Sequence, residues 1–395
     1  MDQSKMRALH LEIMDLGPES VSLPLPRRFN LTPLRLMNEE IMGPSLDFFK
    51  DHARRQSSST DMLMELIERK DLQNYFAGLG MSHSDLRMMH IRARHHFFKA
   101  PMFTVAPGLK KMLKDTGIKD NVPAKFFTAP FKTCYLEFDP AEDRRVLAMS
   151  KVGDSDLVEG CFIQEKMMDV PPQLSREDRE ILEIDPKAPV RVVDVAFSYS
   201  PINSSNRQIQ NAPAVIADKL EYIQILIQDE SEPIIDVLER SIQFSLQRGS
   251  AMDSVDLIGR QAFAESLREN FSRLAKVLFY MHVERKAQVI QTPAKDLEDR
   301  IKGVGDKKRP KLERMLNRTY DRIVVGPMTY TPLSMRPEQG EAPKGTKAPH
   351  YRSGYFGIRW KGAGQAKMPE LVRVKEAIIN EHRLSDRTER EYEIR

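Results

Sequence analysis

The chain has 395 residues, of which 41% are hydrophobic and 30% charged, and its formal net charge is +4. This composition excludes an intrinsically disordered chain, and the length predicts two or three packed units. No secretory leader and no apolar run of membrane-spanning length stands out, so we expect a cytoplasmic protein without a membrane partner. Cys134 and Cys161 lie in apolar, strand-like sequence, which predicts buried free thiols rather than a disulfide or a zinc site.

The first part of the chain is predicted to be an arm followed by helices. Residues 1–56 contain scattered prolines and little period, which favours an extended N-terminal arm. Residues 57–125 are predicted to be a helical segment, because capping side chains precede apolar residues on one helical face. A second helix, at about 84–98, carries His90, His95 and His96. No two of these are four residues apart, so we interpret them as a solvated basic face, with a phosphate-contacting surface as the alternative.

The middle of the chain, residues 126–290, is predicted to be an α+β core. Alternating apolar residues predict strands at 133–138, 145–149, 159–163 and 190–197, with turn residues between them. Glu137 ends the first of these strands, and we expect it to face water. Two helices follow, at about 232–247 and 255–284, and the second has an apolar face. The predicted fold is therefore α+β, an antiparallel sheet packed against long helices, with a basic C-terminal β-hairpin or loop region at 291–395.

Charge is distributed unevenly along the chain. Residues 301–395 contain 21 Lys and Arg against 12 Asp and Glu, whereas the rest holds 40 basic and 45 acidic residues. A basic segment of this kind attracts polyanions, although it is also typical of a solubilising tail. We therefore predict that 291–395 contacts nucleic acid.

A basic run within this segment predicts a helix from about Pro310. Gly303 and Gly305 precede two lysines, but the Lys-Ser/Thr pair of a P-loop is absent, which excludes a nucleotide-hydrolysing loop of that type. The residues expected to hold phosphate groups are Lys307, Lys308, Arg309, Lys311, Arg314 and Arg318. A strand at 321–326 and a mobile loop at 333–348 are predicted to follow.

Residues 349–362 combine a His, two Arg, a Lys and four aromatic rings between glycines. Guanidinium groups pair with phosphate and aromatic faces stack on bases, so this mixture favours nucleic acid. The expected stacking residues are Tyr351, Tyr355 and Trp360, and the expected phosphate-binding arginines are Arg352 and Arg359. The alternative is an exposed hairpin whose aromatic rings cover the edge of a core.

These motifs together resemble a family of phage and plasmid proteins similar to the second type V-A anti-CRISPR protein. The resemblance covers about 100–365 and consists of four motifs: the strand Tyr135-Leu136-Glu137-Phe138, the basic helix Lys311-Leu312-Glu313-Arg314, the strand Val324-Val325-Gly326, and His350-x-Arg352-x-Gly354. It implies a mobile-element protein that lowers the production of a type V-A CRISPR nuclease, at the level of its message and emerging polypeptide. Where the family has a second His and a further Arg, this chain has Tyr355 and Gly357, with Arg359 two positions on.

Three functions stay open at this point. The first is an RNA-contacting, translation-associated inhibitor, whose partners would be messenger or ribosome-associated RNA and a nascent or folded host-defence protein. The second is a metal-independent ribonuclease, in which His350 acts as general base or acid and Tyr355 supplies a proton. The third is a scaffold that binds a peptide. No cofactor and no metal are expected for any of them.

Overall fold

The computed structural model describes residues 3–14, 23–28, 36, 39–40, 43–55, 57–78, 83–138, 157–169, 174–200, 220–248, 257–316, 319–331, 350–362, 364 and 367–379. The described helices are α1 (Gln3–Met14), α2 (Leu25–Arg28), α3 (Leu46–Arg54), α4 (Ser59–Glu68), α5 (Lys70–Gly78), α6 (His83–Phe97), α7 (Pro107–Lys114), α8 (Arg176–Leu182), α9 (Ile234–Arg248), α10 (Leu257–Val283), α11 (Pro293–Lys302) and α12 (Arg309–Leu316). The described strands are β1 (Met102–Val105), β2 (Gly117–Ile118), β3 (Thr133–Glu137), β4 (Leu157–Met168), β5 (Val190–Ser200), β6 (Leu220–Ile227), β7 (Gln288–Gln291), β8 (Arg322–Val325), β9 (His350–Arg352), β10 (Tyr355–Lys361), β11 (Met368–Val374) and β12 (Ala377–Ile379).

The described part of the chain contains a seven-stranded sheet with the order β6-β5-β4-β3-β1-β8-β7. β3, β4 and β5 pair antiparallel, as the alternating sequence predicts, and β6, which is not among the predicted strands, pairs antiparallel with β5. β1 pairs in parallel with both β3 and β8, and β7 pairs antiparallel with β8. The α+β prediction is confirmed, but the sheet is mixed rather than antiparallel, because β1 lies between β3 and β8 and runs parallel to both.

One face of this sheet is apolar and packs on α7, α9 and α10. Leu136 of β3 and Phe197 of β5 lie in this core together with Phe271 of α10, whose ring centroid is 5.5 Å from that of Phe197. The apolar face predicted for α10 is buried as expected: Leu267, Phe271, Leu274 and Leu278 are each at most 2% exposed. Each such side chain contributes roughly 1.5–3 kcal/mol before the entropy cost is subtracted.

The opposite face of the sheet, which we call the polar face, is covered by α6 and the short helix α2. A small apolar cluster that includes Leu25, Ile91 and Phe162 holds these helices on the sheet. Around that cluster lie buried polar and charged side chains from β3, β4 and β5. Buried groups of this kind must find partners inside the protein, because water cannot reach them.

The C-terminal strands form a second layer on the apolar side. β10 pairs antiparallel with β11 and in parallel with β2, and β9 pairs with β12. Phe356 of β10 is fully buried, and its ring centroid lies 5.7 Å from that of Phe279 of α10. This contact anchors the β10–β11 ribbon in the main core.

The extended backbone predicted for residues 1–56 is wrong where the structure describes it, because α1, α2 and α3 lie there. In α3, Phe48, Phe49 and Ala53 are buried, at the spacing of one helical face, and the two phenylalanines pack in a cluster with α4 and α5. The four-segment division of the chain stays a prediction, although strands from three of those segments pair in one sheet. The predicted strand at 145–149 and the predicted loop at 333–348 fall outside the described residues.

Two smaller expectations concern the cysteines and the membrane. Cys134 and Cys161 are buried free cysteines, as predicted, and burial raises the pKa of the Cys134 thiol to about 12. No helix in the described part of the chain is both long enough and apolar enough to span a membrane.

Candidate nucleic-acid interface

The predicted basic helix is α12, which begins at Arg309 with Pro310 in its first turn. Leu312 is buried and faces inward, whereas the charged residues of the helix and the preceding turn are exposed. The exposed basic residues are Lys307, Lys308, Arg309, Lys311 and Arg314, and we call this set the basic helix surface. Arg318 lies outside the described residues.

The basic helix surface keeps most of its positive charge uncompensated. Arg309 approaches the exposed Asp306 at 4.0 Å, a weak contact in water, and Arg314 donates to the carbonyl of Pro310. Among the described residues, no acidic group lies within 4.0 Å of Lys307, Lys308 or Lys311. Exposed ammonium groups of this kind are free to contact phosphate.

The aromatic residues of the C-terminal motif are divided between the two faces of the ribbon. Tyr355 and Arg359 alternate with Phe356 and Trp360 along β10, so the two pairs point to opposite sides. The ammonium group of Lys119 lies 4.8 Å from the centroid of the Tyr355 ring, a cation–π contact. Trp360 is 61% exposed. Tyr355 and Trp360 therefore cannot form one continuous stacking platform.

The predicted phosphate-binding arginines of this motif differ in their partners. Arg359 donates to Glu370 of β11 at 2.8 Å, and this hydrogen bond lowers the pKa of the Glu370 carboxyl. Arg352 is exposed and reaches only the carbonyl of Lys375, at 3.4 Å. Of the two, Arg352 is the one whose guanidinium has no carboxylate partner among the described residues.

Tyr351 and His350 lie on β9, opposite Ile378 and Ile379 of β12. Tyr351 is half-buried, and burial together with the charge of Glu376 raises the pKa of its phenol. The strand position of His350 is described, but its side chain is not.

The segment that follows the basic helix and the C-terminal ribbon are anchored on opposite faces of the sheet. α12 leads into β8 through Tyr320, whose hydroxyl group donates to Glu137 on the polar face. The ribbon instead packs Phe356 into the apolar core. The basic helix surface and the ribbon are thus anchored independently.

Glu137 is a residue whose environment the sequence did not reveal. It is only 1% exposed and accepts hydrogen bonds from Thr104 at 2.8 Å and Tyr320 at 2.9 Å. Burial and the nearby carboxylate raise the pKa of Tyr320. The expectation that Glu137 faces water is wrong, because β1 and the segment before β8 cover it. One signal was available: the strand before Glu137 has no charged residue, which is typical of a strand buried on both faces.

A second buried carboxylate, Glu159, lies on the neighbouring strand. A β-bulge between Val158 and Gly160 displaces it from the regular register. The two terminal guanidinium nitrogens of Arg28 each donate to one oxygen of Glu159, at 3.0 and 2.7 Å. The side chains of Arg28 and Glu159 are both buried. Glu159 thus binds α2 to the sheet, and Glu137 binds the segment that leads into β8.

The solvated basic face predicted on α6 is wrong. His90, Arg94 and His95 are buried, because α6 packs directly on β3, β4 and β6. Burial lowers the pKa of His90 and of His95 to about 3, so both imidazoles are neutral at physiological pH. These side chains are therefore unsuited to binding phosphate, whereas His96 is exposed.

Comparison with known proteins gives one family match. The AcrVA2-like model, described as the anti-CRISPR type V subtype A2 family, matches residues 103–371. A solved structure, "Crystal structure of AcrVA2", is similar at 11% sequence identity over 87% of this chain and 96% of that chain, with a TM-score of 0.39. No curated protein matches the chain. The matched residues include β3, α12, β10 and all of β1 except Met102.

Proposed function

This chain belongs to the AcrVA2-like family of anti-CRISPR proteins, and we propose that it acts by binding RNA. Membership of the family makes its general function the inhibition of a type V-A CRISPR system. The finer proposal is that it lowers the production of the nuclease by contacting the messenger RNA and the nascent chain. Arg352, Trp360 and the basic helix surface would supply the RNA contacts.

The observation that carries this proposal is the basic helix surface. Five exposed Lys and Arg side chains lie within eight residues, and all three lysines lack an acidic group within 4.0 Å among the described residues. A structural role in folding needs no such arrangement, because like charges on one short helix repel each other. Binding to a polyanion neutralises these charges, which removes their mutual repulsion and releases counterions from the polyanion.

The ribonuclease alternative needs a general acid and a general base within reach of one phosphate. Tyr355, the proposed proton donor, has the ammonium group of Lys119 over its ring. The contact places a positive charge beside Tyr355, where it can attract a phosphate group. A cation there would hold a phosphate whether or not it is then cleaved, so cleavage is measured together with binding.

The first test is RNA binding by the variant Lys307→Ala, Lys308→Ala, Arg309→Ala, with labelled single-stranded RNA in EDTA over a range of salt. The matched control changes three other exposed basic residues, Lys70, Arg176 and Lys187, to Ala and so alters net charge equally. We expect only the first variant to lose affinity. Its slope of log K against log salt should flatten by about 0.7 for each phosphate group that the variant no longer neutralises.

Equal RNA affinity of the two triple variants would contradict the proposal, because any loss of affinity would then follow from the lower net charge alone. RNA cleavage in EDTA that disappears in His350→Ala would instead favour the ribonuclease. In a cell-free translation reaction, the first triple variant should also lose the ability to lower nuclease synthesis, whereas the control variant should keep it.

A further inference from the structure

We propose that the RNA-binding surface has an aromatic half at the end of the sheet where the parallel strands β3, β1 and β8 begin. Its residues are Phe97, Phe98 and Lys99 before β1, together with Phe131 and Lys132 before β3, and we call it the strand-entry surface. All five are exposed. The inference rests on the RNA contact proposed above and adds the class of substrate, which is single-stranded RNA.

The topology brings these residues to the same end as the basic helix. β1 pairs in parallel with β3 and with β8, with Met102 opposite Tyr135 and Phe103 opposite Ile323. Because parallel strands start at one end, the segments that lead into them converge there. Lys99 lies three residues before Met102 and Phe131 lies four residues before Tyr135, so each Cα is within about 10–14 Å of the first paired residue of its own strand. α12 ends at Leu316, six residues before β8 begins at Arg322, so chain connectivity keeps the end of the helix within about 20 Å of this end of the sheet.

The exposure of the rings is unusual for phenylalanine. Phe97, Phe98 and Phe131 are 37%, 40% and 50% exposed, whereas a phenylalanine inside a domain is normally buried. The Phe131 ring is held by the buried ring of Phe103, at a centroid distance of 5.9 Å. A ring supported on one side and open on the other can stack on a base without much loss of side-chain freedom.

Lys99 is a second, independent observation. Its φ is +44°, in the left-handed region, and it lies directly after α6. The backbone NH groups of Lys99 and Ala100 donate to the carbonyl groups of His96 and His95, the pattern that ends a helix in a Schellman motif. Glycine is preferred at this position because a Cβ is strained there. A lysine in its place maintains a positive charge beside the rings in spite of that strain.

Acidic groups near the strand-entry surface already have partners. Asp321 accepts hydrogen bonds from the backbone of Ala294 and Lys295 at the start of α11. Glu165, which follows the part of β4 paired with β3, is bound by Arg191 and Thr128. The carboxylate of Glu165 is thus neutralised by Arg191, and that of Asp321 is engaged by the start of α11.

A single-stranded nucleic acid is what this combination fits, and the RNA contact proposed above makes that strand RNA. Aromatic stacking needs the open face of a base, which a duplex hides between neighbouring base pairs. Lysine and arginine side chains alone would bind duplex and single strand alike through phosphate. The three exposed rings therefore add selectivity for unpaired bases.

The test compares a labelled single-stranded oligoribonucleotide with a duplex of the same length. The variants are Phe98→Ala, Phe131→Ala and Lys99→Gly, and Ile235→Ala on α9 is the control because its exposure is similar, 38%. We expect each Phe variant to bind the single strand about tenfold more weakly, with an unchanged salt slope and unchanged duplex affinity. Lys99→Gly should raise the midpoint of thermal unfolding yet weaken RNA binding and flatten the salt slope by about 0.7.

The outcomes separate this inference from the proposed function. If the Phe variants and Lys99→Gly bind like Ile235→Ala while the basic-helix triple variant loses affinity, the strand-entry surface is wrong and the proposed function stands. If the wild-type protein binds no RNA, both are wrong. Equal losses for duplex and single strand would overturn the stated substrate class. Because Lys99→Gly relieves backbone strain, a loss of its RNA affinity cannot be attributed to unfolding.

Discussion

At the scale of the residue, the polar face depends on contacts between positions far apart in sequence. Arg28 reaches Glu159 across 131 positions, and Tyr320 reaches Glu137 across 183. A carboxylate at a strand end is predicted to be exposed unless a distant segment covers it. Removing one partner of a buried pair leaves an uncompensated charge, so these residues are expected to tolerate little change.

Gly160 provides a sharp test at this scale. A Cβ atom built there would lie 2.4 Å from the carbonyl oxygen of Leu136 and 2.6 Å from the hydroxyl of Tyr135. Because the first of these is backbone, Gly160→Ala should force the β3–β4 pair apart and lower the free energy of unfolding by roughly 2 kcal/mol or more.

The control is Gly305→Ala, since no atom lies within 4 Å of the Cβ position at Gly305. Urea unfolding followed by circular dichroism measures both variants. We expect Gly305→Ala to remain within about 0.5 kcal/mol of wild type. A similar result for Gly160→Ala would show that the bulge can relax around the new methyl group.

At the scale of the element, α6 shows how a helix can be predicted correctly and its exposed side wrongly. The sequence predicts a helix at about 84–98, and α6 is His83–Phe97. His90, Arg94 and His95 are nevertheless buried between α6 and the sheet, and Arg94 donates to the carbonyl of Ser57. Polar residues on a helix indicate an exposed face only when the helix also has an apolar face that can pack on the protein.

The buried histidines of α6 predict a loss of stability in acid. The pKa of His90 and of His95 is about 3 in the folded protein, against 6.5 in the unfolded chain. Between these values the unfolded chain binds more protons, so stability is full above pH 6.5 and falls as the pH drops toward 3. The slope is about 1.4 kcal/mol per pH unit for each histidine.

Urea unfolding between pH 4.5 and 7.5 measures this slope. His90→Leu should reduce the slope by about 1.4 kcal/mol per pH unit, the contribution of one proton, because leucine does not titrate. The substitution breaks no hydrogen bond of the imidazole in the described part of the chain, where both His90 nitrogens lack a partner. His96→Leu is the matched control, since His96 is exposed. An unchanged slope in His90→Leu would mean that His90 is accessible to protons in the folded state.

At the scale of the whole molecule, one sheet joins parts of the chain that the sequence separates. β1, β3 and β8 come from three of the four predicted segments, and the ribbon packs Phe356 into the core that also holds Leu136. Such shared packing predicts that these parts unfold together. The division of the chain into segments would then describe composition rather than independent stability.

Hydrogen exchange at increasing urea tests this expectation. Amides of β10 should exchange with the same free energy of opening as those of β3, because both strands depend on one core. Phe279→Ala, which removes the ring that contacts Phe356, should lower both values by a similar amount. Earlier opening of β10 alone would show that the ribbon is a separate folding unit.

The sequence alone determined the elements whose signals are local. Neighbouring residues are enough to predict the apolar period of α10, the alternation in β3, β4 and β5, and the start of α12 near Pro310. The family motifs are also short and contiguous, so they can be recognised in the sequence alone. The exposed basic helix surface also follows from composition, because ammonium groups remain in water unless they are paired.

The tertiary structure decided everything that depends on distant segments meeting. It placed β1 between β3 and β8 and buried Glu137, His90 and His95. It also anchored Tyr320, which follows the basic helix, and Phe356 of the ribbon on opposite faces of the sheet. It also brought Phe98, Lys99 and Phe131 to one end of the sheet, although they are far apart in the chain. The physical reason is that parallel pairing aligns strand starts whatever their separation in sequence, and no local pattern records which strands will pair.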